Sequence, residues 1–353
     1  MTRERPVVGA IRWDAWHGDK GVPGQAVERA LGPGRWHARI PFFGKAVSDT
    51  QVEIRGYTQE IIDQEIAYAR QAGLDYWAFV TYEPDSPMSL ALHLYLASSR
   101  KGNLRFCLLT ECGTWGAPGT YRAKVERFLK LMADPSYQRV PGNRPLLYVG
   151  FVRDEWLTAW GGVAGARKLF DEFRAAARKA SLGDPYIVLM DFSPTRGQKL
   201  ADDLGFDAIS AYATQAAGNG TPYADLAKYA ERFWEQCKAT GKAVVPIAMS
   251  GWDRRPRVEH PVPWEKYQQP GVGIEKYYET ATPAELANHV DRAVRWTQDN
   301  TAACPARAVI IYAWNEHDEG GWLCPTLSEG TARIHALGRI LVRVRGSDGD
   351  PDP

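Results

Sequence analysis

The segment from residue 312 to residue 325, which reads Y-A-W-N-E-H-D-E-G-G-W-L-C-P, holds the strongest chemical signal in the chain. It continues an apolar run, and two of its carboxylates, Glu316 and Glu319, are three residues apart. Hydrolysis of a glycosidic bond needs one carboxyl group that protonates the leaving oxygen and a second that acts as base or nucleophile. The pair is therefore a candidate for this chemistry. The competing interpretation is a solvated acidic turn.

Polar and aromatic residues recur just after other predicted strands. In a barrel of parallel strands these ends meet at one mouth, where barrel active sites lie. Flat rings with polar edges suit sugar rings, so the pattern predicts a carbohydrate-binding cleft. For any single residue, a helix cap or a loop salt bridge is the alternative. The predicted substrate-binding residues are Asp14, Trp16, Tyr82, Glu111, Trp115, Asp191, Tyr212, Trp252 and Asp253, with Trp314, Asn315, His317 and Trp322 from the segment 312–325.

Eight short runs rich in Val, Ile, Tyr and Phe predict β-strands, and segments of helical period lie between them. Near-continuous apolar strands that alternate with helices indicate a parallel sheet covered on both faces. Eight such units predict a (β/α)8 TIM barrel of the α/β class, as a single domain over residues 1–344. The predicted strands are 7–13, 76–82, 104–110, 145–151, 186–192, 208–213, 243–250 and 308–314, and the predicted helices are 58–71, 121–132, 167–180, 223–240 and 284–299.

Two predicted loops are much longer than ordinary connections. About forty residues pass between the first strand and the first predicted helix, and about thirty follow the seventh strand. Both loops are rich in aromatic residues and would emerge at the mouth of the barrel, so we expect them to be functional. Residues 345–353 contain too little apolar surface to order themselves and predict a disordered tail.

The composition of the sequence limits the classes of partner and the cellular compartment that we expect. With 43 Lys and Arg against 42 Asp and Glu, the net charge is +1 and no basic stripe is present, which disfavours nucleic acid. No run approaches the ~18–20 apolar residues of a membrane helix, and the start shows no signal-peptide core. The five cysteines are scattered and lack C-x-x-C spacing, which is typical of reduced thiols. We expect a cytoplasmic protein with a carbohydrate substrate; a secreted form that has lost its leader is the alternative.

Signatures of other chemistries are missing from the sequence. It has no G-x-G-x-x-G, no G-x-x-x-x-G-K-[ST], no G-x-S-x-G and no H-E-x-x-H. A metal site assembled from Asp14, His17 and Glu316 is an alternative, but nothing in the spacing requires one. No cofactor and no metal are therefore predicted.

Four segments together resemble a known family. Residues 313–320 (A-W-N-E-H-D-E-G) with 323–325 (L-C-P) resemble the W-N-E-W-x-E-G…E-P signature of glycoside hydrolase family 99 and the related WbsX-like proteins. Residues 250–257 (S-G-W-D-R-R-P-R) are similar to the family's G-W-D-N-x-x-R segment. Residues 72–79 (A-G-L-D-Y-W-A-F) are similar to A-G-I-D-G-F, and 110–115 (T-E-C-G-T-W) loosely to A-N-E-x-W.

The resemblance implies a (β/α)8 barrel and metal-independent endo-acting α-mannosidase or α-mannanase activity. Carried over, Glu316 is the base that takes the proton of the substrate's 2-hydroxyl, which then forms a 1,2-anhydro sugar. Glu319 is the acid that protonates the departing oxygen and later activates water, so that configuration is retained. The chain departs from the family pattern at His317, Cys324 and the segment 111–113, so the sugar it takes is expected to differ.

The leading hypothesis is a retaining glycoside hydrolase acting on an α-linked, mannoside-like glycan. Two alternatives stay open. A glycosyltransferase of polysaccharide assembly would need to hold a sugar nucleotide, and Arg254, Arg255 and Arg257 are the basic cluster available for a diphosphate. A non-catalytic carbohydrate-binding barrel would keep the cleft and lack turnover. His317 could tune the pKa of its glutamate neighbours, although a His in an exposed turn is more often merely hydrated.

Overall fold

The computed structural model, which describes residues 5–216 and 218–342, contains a closed parallel barrel. The first strand pairs with the second and with the eighth. The seventh strand is interrupted: its first half pairs with the sixth strand and its second half with the eighth. Because only Val245 and Pro246 separate these halves, the ring closes, as the sequence predicts. In chain order the barrel strands are Val7–Arg12, Tyr76–Val80, Arg105–Glu111, Arg144–Gly150, Tyr186–Met190, Ala208–Ser210, Ala243–Val244 with Ile247–Met249, and Ala308–Tyr312.

Helices cover the outside of the barrel. Each predicted helix is present, and the one that begins after Thr282 carries the expected capping box, in which Thr282 and Glu285 bond each other's backbone amides. The helices are Val22–Leu31, Gln59–Gln71, Leu90–Ala97, Tyr121–Met132, Asp154–Ala159, Val163–Lys179, Pro194–Leu204, Tyr223–Ala239, Arg255–Glu259, Pro283–Asp299 and Ala332–Leu341. None of the helices formed by the described residues is long and apolar enough to cross a bilayer.

The long loop predicted between the first strand and the helix 58–71 contains secondary structure that the sequence did not reveal. This loop contains the helix Val22–Leu31 and an antiparallel hairpin, Gly44–Ser48 with Gln51–Ile54. The helix begins at Val22 with Pro23 in its first turn, and its buried face includes Val27. The sequence hides this helix because Gly and Pro at its start imitate a turn, while its stability comes from packing against the hairpin.

Several predicted strands run too far at their carboxyl ends. The first ends at Arg12, the fifth at Met190 and the sixth at Ser210. The apolar run continues past each end because residues such as Phe192 lie in the turns at the mouth of the barrel. Smaller paired segments decorate the barrel: Arg139–Val140 beside the fourth strand, and Asn315–Glu316 with Gly321–Trp322 after the eighth.

One continuous apolar core fills the barrel and the space beneath the helices. The five cysteines lie within it, all buried and free. His93, His289 and His335 lie in helices, and His289 is buried with its ring stacked on Trp234. The predicted tail, residues 345–353, and the end of the predicted domain lie outside the described residues.

Candidate active site

A cleft of about 340 Å³ opens at the carboxyl ends of the barrel strands. Its lining comes from the turns after several strands, so the closed barrel brings together residues that are far apart in sequence. Polar groups face apolar and aromatic side chains across it. The lining residues are Trp13, Pro23, Val80, Tyr82, Met88, Leu109, Glu111, Phe151, Tyr212, Arg257, Trp264, Glu316 and Glu319.

Glu316 and Glu319 form a buried carboxylate pair, with exposed fractions of 2% and 7%. The interpretation of this segment as a solvated acidic turn is therefore wrong. A single guanidinium contacts both groups: Arg257 Nη2 lies 3.2 Å from Glu316 Oε2, and its Nη1 donates to Glu319 Oε1. Tyr212 donates its hydroxyl to Glu316 Oε1 over 2.7 Å, and Tyr312 donates to Glu319 Oε2.

The two carboxyl groups have pKa values that shift in opposite directions. Burial, followed by the neighbouring charge of Glu319, raises the pKa of Glu316 well above its ordinary value. Burial also acts on Glu319, but the charges of Arg257 and Arg254 outweigh it and lower the pKa of Glu319. A carboxyl with a raised pKa beside one with a lowered pKa is the arrangement that separates an acid from a base in a catalytic pair.

The basic cluster after the seventh strand is engaged by carboxylates. Arg257 Nε donates to Asp318 over 2.6 Å in addition to its contacts with the pair. Arg254 Nε lies 3.0 Å from Glu319 Oε1. Arg255 makes two bonds to Asp253, of 2.9 and 2.8 Å. These guanidinium groups already pair with acidic residues of the site, which argues against their binding a diphosphate.

Close contacts with neighbouring backbone hold the segment that carries Glu316 and Glu319. Asn315–Glu316 pairs with Gly321–Trp322, and the backbone amide of Asp253 donates to the carbonyl of Glu319 over 2.7 Å. Gly320 has φ = +81°, and a Cβ there would lie 2.5 Å from the Asp253 nitrogen. Only glycine satisfies both demands, so the glycine after Glu319 is required by the packing of the seventh-strand turn on this segment.

A second buried network supports the pair from below. Glu65, on the helix Gln59–Gln71, accepts the Trp314 indole N–H over 2.7 Å and pairs with Arg12 at 2.8 Å. Arg12 also pairs with Asp14 at 2.8 Å, and Asn315 joins through its amide, 3.3 Å from Asp14. Burial raises the pKa of Asp14 to about 6 despite the nearby Arg12. These side chains therefore hold the strand ends in position beneath the cleft.

His317 occupies an aromatic cage, and the expectation that it lies in an exposed turn is wrong. Its side chain is fully buried, with the Trp16 ring edge-on at 5.1 Å and the Trp322 ring stacked at 5.8 Å. Burial, together with the charges of Arg333 and Arg39, lowers the pKa of His317 to about 3. The ring is consequently neutral at physiological pH and acts by packing.

The predicted substrate-binding residues divide into three groups. Those on the cleft lining are Tyr82, Glu111 and Tyr212. Those that support or enclose the segment of the pair are Asp14, Trp16, Asn315, His317 and Trp322. The remaining residues, which do not belong to the cleft lining, are Trp115, Asp191, Trp252, Asp253 and Trp314.

Each residue of this last group has a structural partner. Trp115 is fully buried against Phe128, Phe170 and Phe173, and Trp314 is fully buried with Glu65, so neither ring can reach a substrate in this structure. Asp191 and Asp253 form ion pairs with arginines, and the Trp252 ring packs 5.5 Å from Tyr312. These residue types suit a sugar-binding site, but their side chains contact other groups of the protein.

Eight lining residues were not predicted as site residues: Trp13, Pro23, Val80, Met88, Leu109, Phe151, Arg257 and Trp264. Trp13 and Phe151 are the last residues of the predicted strands 7–13 and 145–151, but in the structure each follows the end of its strand. Arg257 lies 59 residues before Glu316 in sequence, so its contact with the pair depends on the fold. The prediction also omitted Glu65. Its carboxylate lies on the otherwise apolar helix face of Ile62, Ile66 and Ala69, and this unusual position could have identified it.

The described part of the chain contains no cluster of side chains suited to bind a metal ion. Over residues 5–216 and 218–342, no group of three or more His, Cys, Asp or Glu side chains is arranged to hold a metal ion.

Comparison with known proteins identifies the fold. The sequence matches no protein-family model, and a search of the curated proteins finds no match. Among solved structures, the chain is similar to the GH99 endo-alpha-mannosidase from Bacteroides thetaiotaomicron in complex with bis-tris propane, with 15% identity and a TM-score of 0.57 over 96% of this chain and 97% of that one. A second structure of that enzyme gives 14% identity and a TM-score of 0.56 over 97% and 98% of the two chains. The chain thus has a GH99-like barrel fold.

Proposed function

We propose that this protein is a retaining glycoside hydrolase and that Glu316 and Glu319 are its catalytic acid and base. The observation that carries the proposal is the buried carboxylate pair with pKa shifts of opposite sign, facing a cleft at the carboxyl ends of barrel strands. The barrel's likeness to a GH99 endo-alpha-mannosidase supports the same reaction class.

The position of the pair favours participation of the substrate's own 2-hydroxyl. Both carboxyl groups contact Arg257 and therefore lie on one side of the cleft. An ordinary retaining enzyme places its nucleophile and its acid/base on opposite faces of the sugar, about 5–5.5 Å apart. A pair on one side instead suits a base that ionises the 2-hydroxyl and an acid that protonates the leaving oxygen, with a 1,2-anhydro sugar between the two steps.

The charges around the pair favour a distribution of roles opposite to that implied by the family resemblance. Glu319 contacts Arg254 and Arg257, whose charges favour its ionised form. Glu316 receives the tyrosine hydroxyl and one weaker guanidinium contact, so it is the member of the pair that binds a proton more readily. We assign Glu316 as the proton donor to the leaving oxygen and Glu319 as the base.

An α-linked, mannoside-like glycan is the proposed substrate class. The support is the fold likeness together with the one-sided carboxylate pair. The cleft also presents Val80, Met88 and Leu109, which provide no hydrogen bonds. A sugar hydroxyl group that faces such an apolar side chain has no hydrogen-bond partner. The lining therefore discriminates among sugars by the positions of their hydroxyl groups.

Leaving-group dependence tests the proposal. The assay compares kcat/KM on 4-nitrophenyl α-glycosides, whose leaving group needs no protonation, with kcat/KM on α-linked disaccharides of the same sugars. We expect Glu316→Gln to lower disaccharide turnover by ~10²- to 10⁴-fold and nitrophenyl turnover much less. Glu319→Gln should lower both alike. The control is Glu231→Gln, which removes a partly exposed carboxylate that pairs with Arg292 and does not belong to the cleft lining.

The possible outcomes separate the alternatives. A leaving-group effect in Glu319→Gln with an equal loss in Glu316→Gln would reverse the roles and restore those implied by the resemblance. Sugar binding without turnover on any substrate would favour the non-catalytic barrel. Transfer from a sugar nucleotide that is lost in Arg255→Ala would favour the glycosyltransferase.

A further inference from the structure

An exposed aromatic ring stands at the edge of the cleft. Phe192 follows the fifth barrel strand and is 62% exposed. Its ring stacks on that of Phe151, with centroids 5.7 Å apart and an interplanar angle of 11°. Phe151 follows the fourth strand and lines the cleft. We refer to these two rings as the aromatic shelf.

The aromatic shelf is continuous with the carboxylate pair. The Phe151 ring lies 5.7 Å from the Tyr212 ring, and the Tyr212 hydroxyl donates to Glu316 over 2.7 Å. The side chains of Tyr212, Phe151 and Phe192 therefore form a continuous series of contacts from Glu316 to the outer surface. A sugar unit next to the one held at the pair would meet the shelf.

The turn that carries Phe192 is rigidly held. The Ser193 amide donates to Asp191 over 2.9 Å, and the Ser193 hydroxyl caps the helix Pro194–Leu204. Arg196 pairs with Asp191 and also donates to the carbonyl of Val152, over 2.6 Å. This last bond ties the turn of Phe192 to the turn of Phe151. Asp191 thus positions the shelf, which explains why a polar residue stands at this strand end without facing the cleft.

We infer that Phe192 and Phe151 form a second sugar subsite, which stacks a neutral hexopyranose unit adjoining the one bound at Glu316 and Glu319. The inference rests on the proposed function. One face of a pyranose carries C–H groups that pack on aromatic carbon, and an ordered ring binds at low entropic cost. A single exposed ring is too small for a stable contact with a second copy, which buries over about 1,000 Å². The protein then prefers chains of at least two sugars over monosaccharides.

Binding of sugars of different length tests this inference. The probes are the methyl α-glycosides of mannose, glucose and galactose and the matching α-linked trisaccharides. Affinities are measured by calorimetry in a Glu316→Gln background, in which hydrolysis of the probes is slowed. We expect a trisaccharide to bind on the order of 10-fold more tightly than its methyl glycoside, and Phe192→Ala to remove most of that gain. Phe192→Tyr should keep it. Leu327→Ala, which truncates another exposed apolar side chain, is the matched control and should keep it as well.

Failure of this inference differs from failure of the proposed function. If the trisaccharide keeps its full advantage in Phe192→Ala, the subsite is refuted while hydrolysis is untouched. If neither probe binds any variant and the unmutated chain shows no turnover, the proposed function fails and the subsite fails with it. If Phe192→Ala converts a dimer to a monomer in sedimentation analysis without changing the length dependence, the ring serves self-association and the inference is overturned.

Discussion

Replacing Arg257 by Met would remove a fully buried guanidinium that contacts Glu316, Asp318 and Glu319. Asp318 is completely buried and Glu319 nearly so, and both would be left without this cation. Stranding a buried charge by removing its partner costs about 3–5 kcal/mol. We expect the variant to lose that much of its free energy of unfolding near neutral pH, a large share of the ~5–15 kcal/mol typical of a folded domain.

The pH dependence follows from the direction of the Glu319 shift. A carboxyl whose folded-state pKa is lowered contributes stability above its unfolded pKa and loses that contribution as the pH falls through the folded value. Without the charge of Arg257 the pKa of Glu319 rises, so this carboxyl is protonated at higher pH, which relieves the stranded charge. The difference in unfolding free energy between the variant and the unmutated chain should therefore shrink between about pH 7 and about pH 5.

Urea denaturation followed by tryptophan fluorescence at both pH values measures this difference. Arg257→Lys is the milder variant if the Met variant does not fold. Arg174→Met is the matched control, because Arg174 is also buried but its partners, Asp184 and Asp207, are partly exposed. A loss for Arg257→Met that is equal at both pH values, or no larger than that for Arg174→Met, would refute the reasoning.

Two further predictions concern the surroundings of the pair. Tyr212→Phe removes the hydroxyl that lowers the pKa of Glu316, so the limb of the pH–rate profile governed by Glu316 should move up by about one pH unit; an unchanged or downward-shifted limb would contradict the assignment. His317, caged by Trp16 and Trp322, should stay neutral at physiological pH, so its ring proton resonances should not titrate between about pH 5 and about pH 8; a titration midpoint near the ordinary value would show that the cage is open to water.

The barrel could be predicted because its signal is local and repeated. Alternating strands and helices, the capping Thr282 and the length of the chain together specify eight β/α units. The helix Val22–Leu31 could not be predicted, because it begins with turn-forming residues and depends on packing against a hairpin that follows it in the same loop.

The carboxylate pair could be predicted because it lies within one short segment at a strand end. Its electrostatics could not, because Arg257, 59 residues from Glu316, sets the charge of the pair only once the barrel has closed. The same limit applies to Trp314 and Asp191. Composition identifies the kind of side chain that suits a sugar cleft, but only the fold decides whether it faces the cleft or supports it.

The most direct test of the central claim is the anomeric configuration of the sugar released by the unmutated chain, by Glu316→Gln and by Glu319→Gln. Proton NMR follows the first product formed from α-linked oligosaccharides before mutarotation. We expect a retained product from the unmutated chain and turnover lower by ~10²-fold or more in each variant. An inverted product would contradict it. So would a Glu111→Gln variant that loses more activity than either, because the second catalytic carboxylate would then stand elsewhere on the cleft lining.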